Sequence, residues 1–118
     1  MTLGHAFAQW IAQPTAMTDF SPGDVAYADE SDSDFRVYRF FMSARDLAHF
    51  GALYANGGVW QGRQIVPRAW VDVSLSPHSE VTYSDQYQAY GYLWWLSPGR
   101  GAAYADGSGG QKILVDRT

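Results

Sequence analysis

Residues 43–58, Ser-Ala-Arg-Asp-Leu-Ala-His-Phe-Gly-Ala-Leu-Tyr-Ala-Asn-Gly-Gly, carry start and stop signals for one helix. The Ser43 hydroxyl can accept an orphan N–H of the first turn, and Asp46, three residues on, can reach back and complement the helix dipole. Leu47, Phe50, Leu53 and Tyr54 then fall on one apolar stripe. Gly57-Gly58 supplies a left-handed stop. His49 falls on the opposite, exposed side, with Asp46 one turn earlier as a possible partner. A helix with a single apolar stripe has to lay it on another layer. The rest of the chain must provide that layer.

The segment 59–66 predicts a tight hairpin-like link turning at Gly62. A second helix is expected from Pro67, whose fixed φ suits a first helical turn, with Trp70, Val71 and Leu75 facing inward. Upstream, Phe7, Trp10 and Ile11 have i, i+3, i+4 spacing in residues 4–13, a short helix that ends before Pro14. Residues 15–34, centred on an acidic stretch of about 18–35, contain Ser21-Pro22-Gly23-Asp24 and Asp29-Glu30-Ser31-Asp32-Ser33-Asp34 and predict a solvated loop. Downstream, Tyr90-Gly91-Tyr92-Leu93-Trp94-Trp95-Leu96 reads as an aromatic strand. Ser97-Pro98-Gly99-Arg100 turns the chain. Strands at 102–105 and 111–115 are joined by the glycine-rich 106–110, and the latter is apolar enough to lie centrally. Helices followed by an antiparallel meander make this an α+β fold, read as a single partial domain over 1–118.

Twelve acidic against eight basic side chains give a net charge of −4. Nothing concentrates Lys or Arg, so a nucleic-acid partner is not expected. No apolar run approaches the ~18 residues of a membrane span, and no membrane partner is expected. The first residues lack a basic segment followed by an apolar run, so no signal peptide is recognised, and the cytoplasm is the default expectation. Without cysteine there is neither a disulfide framework nor a thiolate metal site.

His5, His49 and His78 lie far apart and show no metal-ligand spacing. The acidic run 29–34 lacks the spaced ligands and glycine of a calcium loop. No Gly-x-Ser-x-Gly elbow is present. The only lysine is Lys112, and the residue three before it is Gly109. Consequently no serine sits one helical turn before an activating lysine anywhere in the chain. No metal and no cofactor are expected. The aromatic share of 16% fits a core and its flanking loops, or else a stacking platform for a sugar or other small ligand.

Several blocks nonetheless form a pattern: Ile11 to Phe20 with its Met17-Thr18-Asp19, Ser43 to Val71, Tyr90-Gly91-Tyr92-Leu93-Trp94-Trp95, and Gly107-Ser108-Gly109-Gly110-Gln111. In this order they resemble the serine β-lactamase/penicillin-binding-protein-like hydrolases, on the class C side that includes esterases and amide hydrolases. The resemblance covers nearly the whole chain and matches the C-terminal portion of that family. It implies a partial β-lactamase/transpeptidase-like fold and, in the complete enzyme, acyl-enzyme hydrolysis of a small ester, amide or lactam. It places Ser108-Gly109-Gly110 where the family has Lys-Thr-Gly or His-x-Gly on a strand lining the active site. It makes the Gln111 backbone N–H an oxyanion donor and Tyr92, Trp94 and Trp95 an aromatic substrate wall. Ser108 in place of Lys or His weakens proton handling at that position. Tyr54-Ala55-Asn56 matches the family's Tyr-x-Asn as a string but lies at a helix end, where packing and termination are its expected roles. The serine and lysine of the family's chemistry would lie outside these residues, leaving the chain inactive alone. The alternative expectation is a non-catalytic interaction or small-ligand-binding module that self-associates through exposed strand edges.

Overall fold

The Ser43 hydroxyl accepts the Asp46 N–H at 3.1 Å and opens α2, Ala44–Ala55. The reciprocal half of the capping box is not made: both Asp46 carboxyl oxygens are buried and neither accepts a hydrogen bond. At the other end Gly57 and Gly58 adopt φ of 63° and 86°. Their N–H groups return to Tyr54 O and Leu53 O at 3.1 and 2.8 Å, a Schellman-like stop. The computed structural model describes residues 1–118. The chain divides into two compact units, Met1–His49 and Phe50–Thr118.

In the first unit, Thr2 caps α1, Leu3–Phe7, which continues as one π turn through Ala8–Ala12 and stops before Pro14. Its buried residues are Gly4, Ala8 and Ala12, whereas Trp10 is 60% exposed. The inward stripe is therefore the row of small residues, which lets the backbone approach closely. Phe7 reaches Phe20 and Phe40, with ring centroids at 4.9 and 5.1 Å. The expected 15–34 loop is partly ordered. Strands β1, Val25–Ala28, and β2, Val37–Phe40, pair antiparallel in the register Val25↔Phe40 to Ala28↔Val37. Only the tip of this hairpin is the solvated acidic loop, where Arg36 pairs with Asp29 at 2.9 Å.

The second unit begins within α2. Strands β3, Val59–Trp60, and β4, Arg63–Gln64, form the expected hairpin. Gln61 and Gly62 at its tip have φ of 47° and 80°, as a type I′ turn requires. Helix α3, Arg68–Ser74, starts one residue later than expected, with Pro67 as its N-cap. Val71 is fully buried, but Trp70 is half exposed and does not face the core. A five-stranded antiparallel sheet follows in sequence order: β5, Ser79–Glu80; β6, Ala89–Tyr90; β7, Trp95–Ser97; β8, Ala102–Asp106; and β9, Lys112–Asp116.

Two expectations about this sheet need correction. Residues 90–96 are not one strand: β6 and β7 pair with each other, and the chain turns between them. The Gly91 N–H bonds Trp94 O at 2.8 Å, and Leu93 takes a φ of 64° while 80% exposed. Gly91 lies so close to α3 that a Cβ there would stand 2.2 Å from Ser74 O. Strand β9 is an edge, not a central strand. Its apolarity is one-sided: Val115 is buried, while Lys112, Leu114 and Asp116 are exposed.

The core of this unit gathers Tyr54, Val71, Ala89, Trp94, Leu96, Ala103 and Val115, with Phe50, Leu75 and Ile113 packed around them. Burying each large member contributes about 1.5–3 kcal/mol. The α2 stripe has found its second layer in one face of the meander.

Candidate functional site

Strands β8 and β9 meet at a tight turn that holds the four residues assigned by resemblance to the oxyanion side. Ser108, Gly109 and Gly110 lie in this turn rather than on a strand. The Gly107 N–H bonds Gln111 O at 2.9 Å, and the Gly110 N–H bonds Gly107 O at 3.0 Å. The Gln111 side chain folds back under its own turn. A Cβ on Gly107 would meet Gln111 Nε2 at 2.2 Å, and one on Gly109 would meet Oε1 at 2.5 Å. The Gln111 amide is the far end of a flexible side chain that can swing aside, so of these three glycines only Gly110, with a φ of 84°, is held to glycine by the backbone. The Gln111 backbone N–H donates to no backbone carbonyl in the turn.

At the base of the same hairpin Asp106 and Lys112 stand directly opposite each other. The Tyr87 hydroxyl donates to Asp106 Oδ2 at 2.7 Å, and Lys112 Nζ lies 3.2 Å from that oxygen and 3.4 Å from the Tyr87 hydroxyl. Burial, then the Asp106 carboxylate, raises the Tyr87 pKa. The Tyr87 hydrogen bond, then Lys112, lowers that of Asp106. The hydrogen bond to Tyr87, then Asp106, raises that of Lys112. Each shift favours the form already present at neutral pH: ammonium, carboxylate and neutral phenol. A general base needs a pKa near the working pH, so the trio fastens the hairpin and is not poised to move protons.

The three aromatics expected to form one wall diverge. Trp94 is only 4% exposed and packs on Tyr54 at 5.0 Å, so it is a core residue and not a wall. Trp95 points to the opposite face, stacked on Tyr87 at 5.3 Å and met edge-on by Tyr90 at 4.7 Å. Tyr92 lies between Trp70 and His78, parallel to the imidazole at 4.2 Å and 9°. His78 Nε2 is 2.7 Å from Val73 O, which fixes that ring. A shallow apolar cleft lined by Leu75, Leu96, Ala103 and Val115 includes neither the glycine turn nor Tyr92 and Trp95. The residues implied by resemblance do not surround one cavity.

The first unit holds the second polar constellation. Asp19 Oδ2 accepts the Ser43 hydroxyl at 2.6 Å, and Arg45 approaches both carboxylate oxygens, at 2.9 Å for Oδ1 and 3.0 Å for Oδ2. The Ser43 hydrogen bond, then Arg45, lowers the Asp19 pKa. His49 Nδ1 lies 2.9 Å from Thr15 O, so its hydrogen bond is to backbone and not to Asp46. Tyr54 packs in the core and Asn56 ends α2, the roles expected of them. No group of three His, Asp or Glu side chains is arranged to hold a metal ion. Sequence reasoning missed Tyr87 and His78, which belong to no motif. Asp106 and Lys112 flanking a glycine-rich turn were a visible sign of a cross-strand ion pair.

No family profile matches the chain. An uncharacterized protein of Alkalihalophilus pseudofirmus is 28% identical over 75 residues, which is 64% of this chain. The match spans 22% of the length of that relative.

Proposed function

We propose that this chain is the C-terminal portion of a β-lactamase-like serine hydrolase. In the complete enzyme a serine and a lysine outside these residues would open a small ester, amide or lactam through an acyl-enzyme. This portion would supply the oxyanion side, through the Gln111 backbone N–H beside Ser108-Gly109-Gly110, and aromatic surface from Tyr92 and Trp95. Trp94 would support that surface from the core.

The observation that carries the reading is the tie between Asp19 and the Ser43–Arg45 pair. Asp19 ends one of the blocks that resemble the family and Ser43 begins another, 24 residues later. Two of the blocks that resemble the family are thus hydrogen-bonded to each other, which supports reading them as parts of one arrangement. The α+β architecture is compatible with this reading, and a match that covers a small share of a longer relative fits a chain that is part of a larger protein.

The reading fixes what precedes the chain in the complete enzyme. Sequencing the coding DNA upstream should reveal an in-frame Ser-x-x-Lys followed by Tyr-x-Asn. An upstream frame that continues without either motif overturns it.

A further inference from the structure

Leucine suits a left-handed backbone poorly, because its Cβ crowds the following carbonyl oxygen. Leu93 nonetheless takes a φ of 64°. The turn around it is pinned on both sides. The Gly91 N–H bonds Trp94 O at 2.8 Å, and the Tyr92 N–H bonds Ser74 O at 2.9 Å, which seats the turn on the end of α3. Glycine or asparagine would meet the same φ at lower cost. A strained residue over-determined by its surroundings points to a side chain that serves more than the fold.

The chemistry around Leu93 is apolar. Tyr92, its neighbour in the turn, meets Trp70 of α3 with ring centroids at 5.6 Å and lies parallel to His78 at 4.2 Å. The carboxylate on the same helix, Asp72, is spent on Arg117 at 2.8 Å. The place of the turn in the sheet is also fixed. Strand β7 begins where β8 ends, since Trp95 pairs with Tyr104, two residues before Asp106. The turn that carries Leu93 and the turn that carries Ser108-Gly109-Gly110-Gln111 therefore leave the same end of the sheet.

Resting on the hydrolase reading, we propose that Leu93 is a specificity-determining residue which, with Tyr92 and Trp70, receives the acyl chain of the substrate, an ester of a medium-chain fatty acid. The serine outside these residues would take the acyl group and release the alcohol, and water would then free the fatty acid. The acyl chain stays on the enzyme through both steps, so a rigid apolar wall acts on each of them. Removing a methylene from water is worth about fourfold in affinity, so a few carbons laid on this wall decide which ester is preferred. The left-handed Leu93 trades stability of the fold for that contact.

The test uses the chain extended through its upstream coding sequence, with p-nitrophenyl acetate and p-nitrophenyl octanoate as substrates. The parent should prefer octanoate in kcat/KM. Leu93→Gly should lower the octanoate-to-acetate ratio by about tenfold. The same change relieves the left-handed strain and should raise the thermal midpoint by roughly 1–3 °C. Leu93→Met, apolar and equally strained, should hold the ratio within about threefold of the parent. A parent that prefers acetate, or a ratio that Leu93→Gly leaves unchanged, overturns the proposal. So does a midpoint lowered by Leu93→Gly, which would show the leucine packed against the preceding part of the enzyme. Fluorophosphonate labelling separates the two failures: an unlabelled extended protein removes the hydrolase reading and this inference with it, whereas a labelled one with an unmoved ratio removes this inference alone.

Discussion

The two units of the molecule are held by different means. The second lays α2 and α3 on one face of a meander and fills the space with Tyr54, Val71, Trp94, Leu96 and Val115. The first has a small-residue helix face, three phenylalanine rings and the Asp19–Ser43–Arg45 tie. Apolar burial grows with the area removed from water and is insensitive to pH, whereas a half-exposed ion pair is screened and titrates. The two units should therefore fail under different insults.

Trp94→Ala should show the largest effect, about 3–5 kcal/mol lost in denaturant unfolding. Phe7→Ala, at a half-buried site in the first unit, should cost about 1–2 kcal/mol. Equal costs would erase the distinction. Gly91→Ala comes next, at about 1–3 kcal/mol, because its methyl group must push away Ser74 O at the end of α3. A variant as stable as the parent would mean that the β6–β7 turn stands off from α3 in solution.

Asp46→Ala tests a cost in the first unit. A buried carboxyl group with no hydrogen-bond partner opposes folding, so its removal should raise the thermal midpoint, by about 1 kcal/mol in stability. A lowered midpoint would show that Asp46 closes its capping box with Ser43 after all.

The smallest effects concern pH, and their signs follow from the shifts. Asp19 and Asp106 are held below the ordinary aspartate value. They add stability above about pH 4, which is lost as pH falls through their lowered folded values. Tyr87 and Lys112 are raised, so their contribution is complete below about pH 10 and is lost as pH rises through their folded values. Asp19→Asn and Asp106→Asn should both flatten the acid limb of stability against pH. In the second unit Tyr87→Phe and Asp106→Asn should also flatten the alkaline limb, because Asp106 helps to raise both Tyr87 and Lys112, whereas Asp19→Asn should leave that limb unchanged. An alkaline response to Asp19→Asn would contradict the assignment.

The elements legible in the sequence are those punctuated at both ends. Helix α2 was fixed by Ser43 and Gly57-Gly58, the β3–β4 hairpin by Gly62, and the β8–β9 turn by its glycines. Strands β1 and β2 were hidden because a short hairpin with mostly exposed faces has little apolar contrast against its acidic tip. The 90–96 segment misled for the opposite reason: an unbroken aromatic run masks a turn whose only signal is Gly91, since Leu93 favours no left-handed conformation. Strand β9 looked central because Ile113, Leu114 and Val115 are adjacent, although alternation buries only one side. In the candidate site, the glycine turn was legible as a turn. The separation of Tyr92, Trp94 and Trp95 was not, because it depends on where the chain reverses.

On the proposed hydrolase reading, this chain would carry one side of a pocket without its nucleophile. The most direct measurement compares fluorophosphonate labelling of the 118-residue chain with that of the same chain extended through its upstream coding sequence. The account predicts covalent labelling of the extended protein, at the serine of a Ser-x-x-Lys, and none of the chain itself. Labelling of a serine within residues 1–118, or an extended protein that stays unlabelled, would contradict it.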